Sequence, residues 1–147
     1  MSETDGIQRA IRALKTWEQD RQAVNGLQVQ IDRLTADMIA LTELGYVPSH
    51  PDAPRVTMKT LVDRKNALMV EQTALRDHLT HVERVMSALN EREREVLTVF
   101  YCKNLTSGVA LRRLERQLNV EQAQVYNIRK RALRNFAKRM GYAHEGE

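Results

Sequence analysis

Nine arginines and lysines fall within a stretch of 28 positions: Arg112, Arg113, Arg116, Arg129, Lys130, Arg131, Arg134, Lys138 and Arg139. Only two acids, Glu115 and Glu121, share that stretch. Guanidinium and ammonium groups at this density suit a polyanion. Each phosphate they neutralise releases condensed counterions, which makes binding strong and sensitive to salt. Residues 1 to 111 carry 14 basic and 15 acidic side chains, so the net charge of +4 is gathered toward one end of the chain.

Other chemistry finds little support. The chain has no Gly-rich phosphate loop, zinc-ligand spacing, nucleophile elbow or two-metal carboxylate set, so neither an enzyme nor a cofactor or metal site is expected. His78 and His81 stand at helical i, i+3 spacing and would need a third ligand to hold a metal; solvent-exposed positions explain them more simply. Cys102 follows an apolar stripe with no histidine beside it, which predicts an unactivated thiol. Trp17 reads as an anchor between helices, because the basic residues near it are offset by Glu18 and Asp20.

The basic groups need a scaffold, and the apolar spacing around them supplies one. Leu111, Leu114 and Leu118 mark one face of a short helix, Val120 a turn, and Val125 and Ile128 the answering face of a second helix. Two short helices crossing steeply at a tight turn share such a small core, so the spacing predicts a helix-turn-helix whose second helix is cationic. The first helix is expected from about Val109 to Leu118 and the second from about Glu121 to Met140, where Gly141 ends it. Upstream, Asn90 and Glu93 have capping-box spacing for a helix that buries Val96, Leu97, Phe100 and Tyr101, and a turn follows around Lys103 to Gly108.

Ahead of this region the pattern changes. Ile7, Ala10, Ile11, Leu14 and Trp17 share a helical face. Val24, Leu27, Ile31, Leu34, Met38 and Leu41 then repeat at steps of three and four, a heptad seam whose register falters near Asp20. Gly45 is the expected stop. Pro48, Pro51 and Pro54 make the next stretch a loop, and Thr57 can cap a second long helix. Its seam runs Leu61, Lys65, Leu68, Gln72, Leu75, Leu79, Val82, Met86, Leu89, with Lys65 and Gln72 interrupting an apolar line. The expected fold is therefore all-α. A long antiparallel helical hairpin occupies 1–88, with helices at about 7–44 and 57–88 and a Pro-containing loop at 45–56. A helix-turn-helix domain follows at 89–142, and a tail at 143–147. A two-helix hairpin has little core to spare, so its seams should also meet a second copy or the C-terminal domain.

Composition agrees: 42% apolar and 29% charged residues with three prolines indicate a folded helical protein. A single cysteine, a polar N-terminus and the lack of a long apolar run predict a cytoplasmic protein with no membrane partner.

The segment Leu89-Asn-Glu-Arg-Glu-Arg-Glu-Val-Leu97, then Tyr101, then Leu114 to Leu133 with Arg131-Ala132-Leu133, resembles region 4 of sigma-70-type transcription factors. The resemblance covers roughly Leu89 to Met140 and implies binding of double-stranded DNA. Its base-reading positions fall on Gln122, Ala123, Tyr126 and Asn127, and it implies phosphate contacts from Arg112, Arg113, Arg129, Lys130, Arg131 and Arg134. Gln and Asn pair bidentately with adenine and an Ala methyl meets the thymine methyl, which leans toward an A/T-rich half-site. Three departures stand out. Glu121 replaces the usual Ser or Thr cap of the recognition helix, and Ala123 a base-reading Glu, so the standard −35 sequence is not the expected target. Glu115 also occupies a position where that family has a small residue.

A lone region-4-like domain behind a helical hairpin is similar in layout to small phage-encoded regulators of the ArpU and RinA kind. That implies a regulator of late-gene transcription that contacts host RNA polymerase. Two other readings stay open. A phage small terminase subunit also joins a helix-turn-helix to coiled-coil helices but assembles as a ring. A helical adaptor or inhibitor of RNA polymerase would use the hairpin and bind no duplex.

Overall fold

The computed structural model describes residues 3–48 and 56–142. Within them the chain is all-helical, with no strand: α1 (Glu3–Leu44), α2 (Met58–Ala88), α3 (Glu91–Leu97), α4 (Ser107–Leu118) and α5 (Gln122–Met140). A π-helical turn, Thr98–Cys102, continues directly from α3. Positions 49–55 of the expected proline loop, and the tail at 143–147, lie outside the described residues. No helix among the described residues is long and apolar enough to cross a membrane.

Local chemistry sets the ends of these helices. After Leu44, Gly45 takes φ +81°, a left-handed conformation that costs glycine little, and its N–H reaches back to the Leu41 carbonyl at 3.0 Å. Before α2, the Thr57 hydroxyl accepts from the Thr60 N–H at 3.2 Å. Asn90 caps α3 by accepting from the Glu93 N–H at 2.8 Å, while the Glu93 carboxylate accepts from the Asn90 N–H at 3.4 Å, completing the anticipated capping box.

The chain divides into two compact units, residues 20–78 and residues 1–19 with 79–147. This differs from the expected division at 88/89. The reason lies in which faces meet. The first turns of α1 and the last turns of α2 share a core with α5, so they belong to the C-terminal unit, and α1 changes partners at Asp20, where its heptad register falters.

In the unit 20–78, α1 and α2 pack through Leu34, Leu61 and Val47, with Met38, Leu41, Val56 and Leu68 against them. Leu27 and Ile31 of the α1 seam are also buried. Of the two seam interruptions, Lys65 is half-buried, while Gln72 is 6% exposed. The Gln72 amide donates to the Val24 carbonyl at 3.2 Å and to Gln28 Oε1 at 2.9 Å. A buried amide with two partners across the helix pair favours one register over its neighbours.

The other unit has two apolar clusters. The first gathers Ala10, Ala13 and Leu14 of α1, Val82, Val85 and Met86 of α2, Leu89 and Leu97, and Ala132, Leu133, Phe136, Ala137 and Met140 of α5. Ile7, Ile11 and Trp17 lean on it, so Trp17 serves in packing as expected. The second cluster joins Val96, Val99 and Phe100 to Ala110 and Leu114 of α4 and Val125 of α5, with Leu111, Leu118, Val120 and Ile128 at its edge. All six residues expected to form a shared core at the turn are therefore in one cluster. Arg94 fastens the end of α2: its guanidinium donates to the carbonyls of Met86 at 3.2 Å and Leu89 at 3.0 Å.

Candidate nucleic-acid interface

The turn between α4 and α5 holds the cationic helix in place. Asn119, just past Leu118, takes φ +54°, ψ +49°, a left-handed conformation that asparagine tolerates better than most residues. Its N–H and that of Val120 both bond to the Glu115 carbonyl, the latter at 3.3 Å. Val120 then tucks against the apolar cluster, and the chain leaves at Glu121 in an extended conformation. Here Glu121 is itself the N-cap in place of Ser or Thr, paired with Gln124 in a capping box. Gln124 Oε1 accepts from the Glu121 N–H at 3.3 Å, and the Glu121 carboxylate faces the Gln124 N–H. The start of α4 is set by Thr106, whose hydroxyl accepts from the Val109 N–H at 3.4 Å; α4 therefore begins two residues earlier than the spacing predicted.

Two opposed lines run along α5. Val125, Ala132, Phe136 and Met140, with Leu133 and Ala137 beside them, are buried in the two clusters. On the far side, Ala123, Asn127, Lys130, Arg134 and Lys138 recur at steps of four, three, four and four, and all are exposed. At 3.6 residues per turn this is one outward stripe. Gln122 and Tyr126 are also exposed, so all four residues suggested as base readers lie on the surface of the first two turns of α5. No acid occurs anywhere in α5.

The six suggested phosphate ligands divide into three groups. Arg112 and Arg113 on α4, and Lys130 and Arg134 on α5, are exposed, with the Arg112 Nε–H donating to the Gly108 carbonyl at 3.3 Å. Arg131 is exposed on a different side of α5, where it lines a cleft of about 350 Å³ with Asn90, Glu91, Arg92, Glu93 and Ile128. Arg129 is half-buried, its guanidinium carbon 4.9 Å from the ring centroid of Phe100 and 4.9 Å from that of Tyr126. It is engaged by two aromatic rings of its own chain.

Sequence reasoning missed several supports of this surface. Glu93 is 5% exposed and its carboxylate accepts from the Asn135 amide of α5 at 2.7 Å, so α3's cap also ties down α5. Beyond the expected stop at Gly141, which takes φ +81°, the Tyr142 N–H bonds to the Ala137 carbonyl at 2.9 Å. Arg9 of α1 lies over the Tyr142 ring, 4.4 Å from its centroid. Only the Tyr126–Arg129 pairing had a visible signal, its i, i+3 spacing.

Burial pushes the Cys102 thiol up to about 11, so it stays protonated and a poor nucleophile at neutral pH. The Tyr101 phenol is also raised by burial, with Arg129 pulling the other way. Among the described residues no group of three His, Cys, Asp or Glu side chains comes together as a metal site, and His78 and His81 are half-buried rather than exposed. No family model, curated protein or solved structure matches this chain.

Proposed function

We propose that the chain is a sequence-specific double-stranded-DNA-binding transcriptional regulator. In this reading α4 and α5 form a helix-turn-helix related to region 4 of sigma-70-type factors, and α1 with α2 forms the helical hairpin ahead of it. The observation that carries the reading is the outward stripe of α5: Ala123 and Asn127, next to Gln122 and Tyr126, lead into Lys130, Arg134 and Lys138. Helix-turn-helix proteins set the N-terminal residues of the second helix against base edges. That is where the amide and methyl chemistry stands here, while the cations further along are placed for backbone phosphates. This layout resembles that of small phage regulators of late genes, and on that resemblance host RNA polymerase is the protein partner proposed.

Fluorescence anisotropy of the full chain with duplexes selected from a random pool tests the reading. Four phosphate contacts from Arg112, Arg113, Lys130 and Arg134 give a slope of log affinity against log salt of about −3.6, a loss of about 150-fold between 50 and 200 mM salt. Replacing Asn127 or Gln122 should change which duplexes are preferred, by about 1 to 3 kcal/mol for a bidentate base contact. Binding that neither selects a sequence nor responds to salt would remove the proposal.

A further inference from the structure

The proposed reading treats the cations of α5 as phosphate ligands, and Arg129 is the one whose surroundings disagree. A phosphate ligand keeps its guanidinium open toward the duplex. The Arg129 guanidinium instead lies between the ring of Phe100, from the π-helical turn, and the ring of Tyr126, one turn earlier on α5, at 4.9 Å from each centroid. Phe100 is 9% exposed and anchored in the apolar cluster, whereas Tyr126 is 38% exposed, so one side of the stack is fixed and the other faces outward. A phenol ring on a helix surface turns about two side-chain bonds unless something holds it. Here the held cation connects it to the core.

We infer that Arg129 is a positioning residue: it fixes the Tyr126 ring at the surface of α5, so that discrimination at the base step Tyr126 meets depends on Arg129 although Arg129 touches no phosphate. This rests on α5 being the DNA-reading helix and alters the role of one residue within it. Tyr126 becomes a rigid apolar and hydroxyl contact aimed at a single step, suited to a thymine methyl or a base edge. Lys130, adjacent in sequence but on the outward stripe, keeps the phosphate role.

Salt dependence and sequence preference separate the two roles. A duplex enriched by the full chain from a random pool is compared with a scrambled duplex of the same composition, using the unaltered chain and the variants Arg129→Gln, Tyr126→Leu, Lys130→Gln and the Arg129/Tyr126 double variant. Arg129→Gln should keep the salt slope and lower the enriched-to-scrambled ratio by about threefold to thirtyfold, the range of a cation–π contact. Lys130→Gln should shrink the slope by about 0.9 and weaken both duplexes equally. Tyr126→Leu should lower the ratio, and the double variant should lose no more than the worse single variant, because the two residues act as one unit. In the free protein, the Arg129 Nε–H resonance should be shifted upfield by the rings and should move back in Tyr126→Leu. A slope that falls by about 0.9 in Arg129→Gln with its ratio intact, single losses that multiply in the double variant, or an unshifted Arg129 resonance would each overturn the inference. If the unaltered chain binds no duplex, the DNA reading itself has failed, an outcome visible before any variant is made.

Discussion

Removing the Glu93 carboxylate should loosen the attachment of α5 to the rest of its unit. Glu93 is buried, and its carboxylate accepts at 2.7 Å from the Asn135 amide and at 3.4 Å from the Asn90 N–H. The shorter bond, to a charged acceptor, contributes about 1.5 to 3 kcal/mol; the longer one is half of a capping box and adds up to about 1 kcal/mol. Glu93→Ala therefore costs about 2 to 4 kcal/mol, including the stranded Asn135 amide. Glu93→Gln keeps the outline of the side chain and one acceptor, which can stay on Asn135, but turns its NH₂ toward the Asn90 N–H. The weaker bond is lost and the one to Asn135 becomes a neutral bond, for about 1 to 2 kcal/mol together. Urea unfolding followed by far-ultraviolet circular dichroism reads both as shifts in midpoint at constant slope. A cycle with Asn135→Ala should return a coupling of about 1 kcal/mol or more. A Glu93→Ala midpoint within about 0.5 kcal/mol of the unaltered chain, or a coupling near zero, would refute the view that this carboxylate ties α3 to α5.

Gln72→Leu should change stability by less than about 1 kcal/mol, because it trades two hydrogen bonds for apolar packing, while Gln72→Ala costs about 1 to 2 kcal/mol by leaving a cavity; urea midpoints distinguish them. The Cys102 thiol, at about 11 instead of the ordinary 9, should react with a disulfide reagent about a hundredfold more slowly than a free cysteine at pH 8. The raised value also means that the contribution of Cys102 to stability is present below pH 9 and is lost as pH rises through about 11, which alkaline melting curves follow. Asn119→Ala should destabilise by about 1 kcal/mol because φ +54° strains an L residue with a plain Cβ, and Asn119→Gly should be neutral or slightly stabilising by thermal melting. Lys130→Glu should stabilise the isolated protein by about 0.5 kcal/mol through a new i, i+4 pair with Arg134, a gain that fades with added salt, while lowering duplex affinity.

Where one local rule decides an element, it was legible in the sequence. Periods of three and four residues marked both long helices and their seams, Gly45 and Gly141 marked stops, and Asn90 with Glu93 marked a cap. The core around Leu114 and Val125 followed from spacing alone. What stayed hidden depends on which faces meet across distant parts of the chain. The helical period assigns residues of α2 to a face but does not say whether that face meets α1, α5 or both, so the division into units at 19/20 and 78/79 was out of reach. The π-helical turn was hidden too, because Val96, Val99 and Phe100 have the same spacing in an ordinary helix. Glu93 was legible as a cap and illegible as a tether, since Asn135 lies 42 residues away. Arg129 counted as a surface cation for the same reason: only the fold brings Phe100 beneath it.

Packing of the buried line does not call for the charge pattern on the outer face of α5. Lys130, Arg134 and Lys138 stand at successive i, i+4 positions on one exposed stripe, and each like-charged pair at that spacing opposes the helix by about 0.2 to 0.5 kcal/mol. The helix also carries Arg129, Arg131 and Arg139, and none of its own residues is an acid. A helix selected only to pack would hold its buried line of Val125, Ala132, Phe136 and Met140 equally well with glutamates interspersed outside. Elsewhere the chain does mix its charges: α2 sets Asp63, Glu71, Asp77 and Glu83 among its lysines and arginines. Repulsion tolerated on one stripe, beside exposed amides on the same helix, is what a polyanion partner would relieve on binding. Stability and recognition then make opposite demands on Lys130, and a variant that gains the first while losing the second would show which of them the stripe serves.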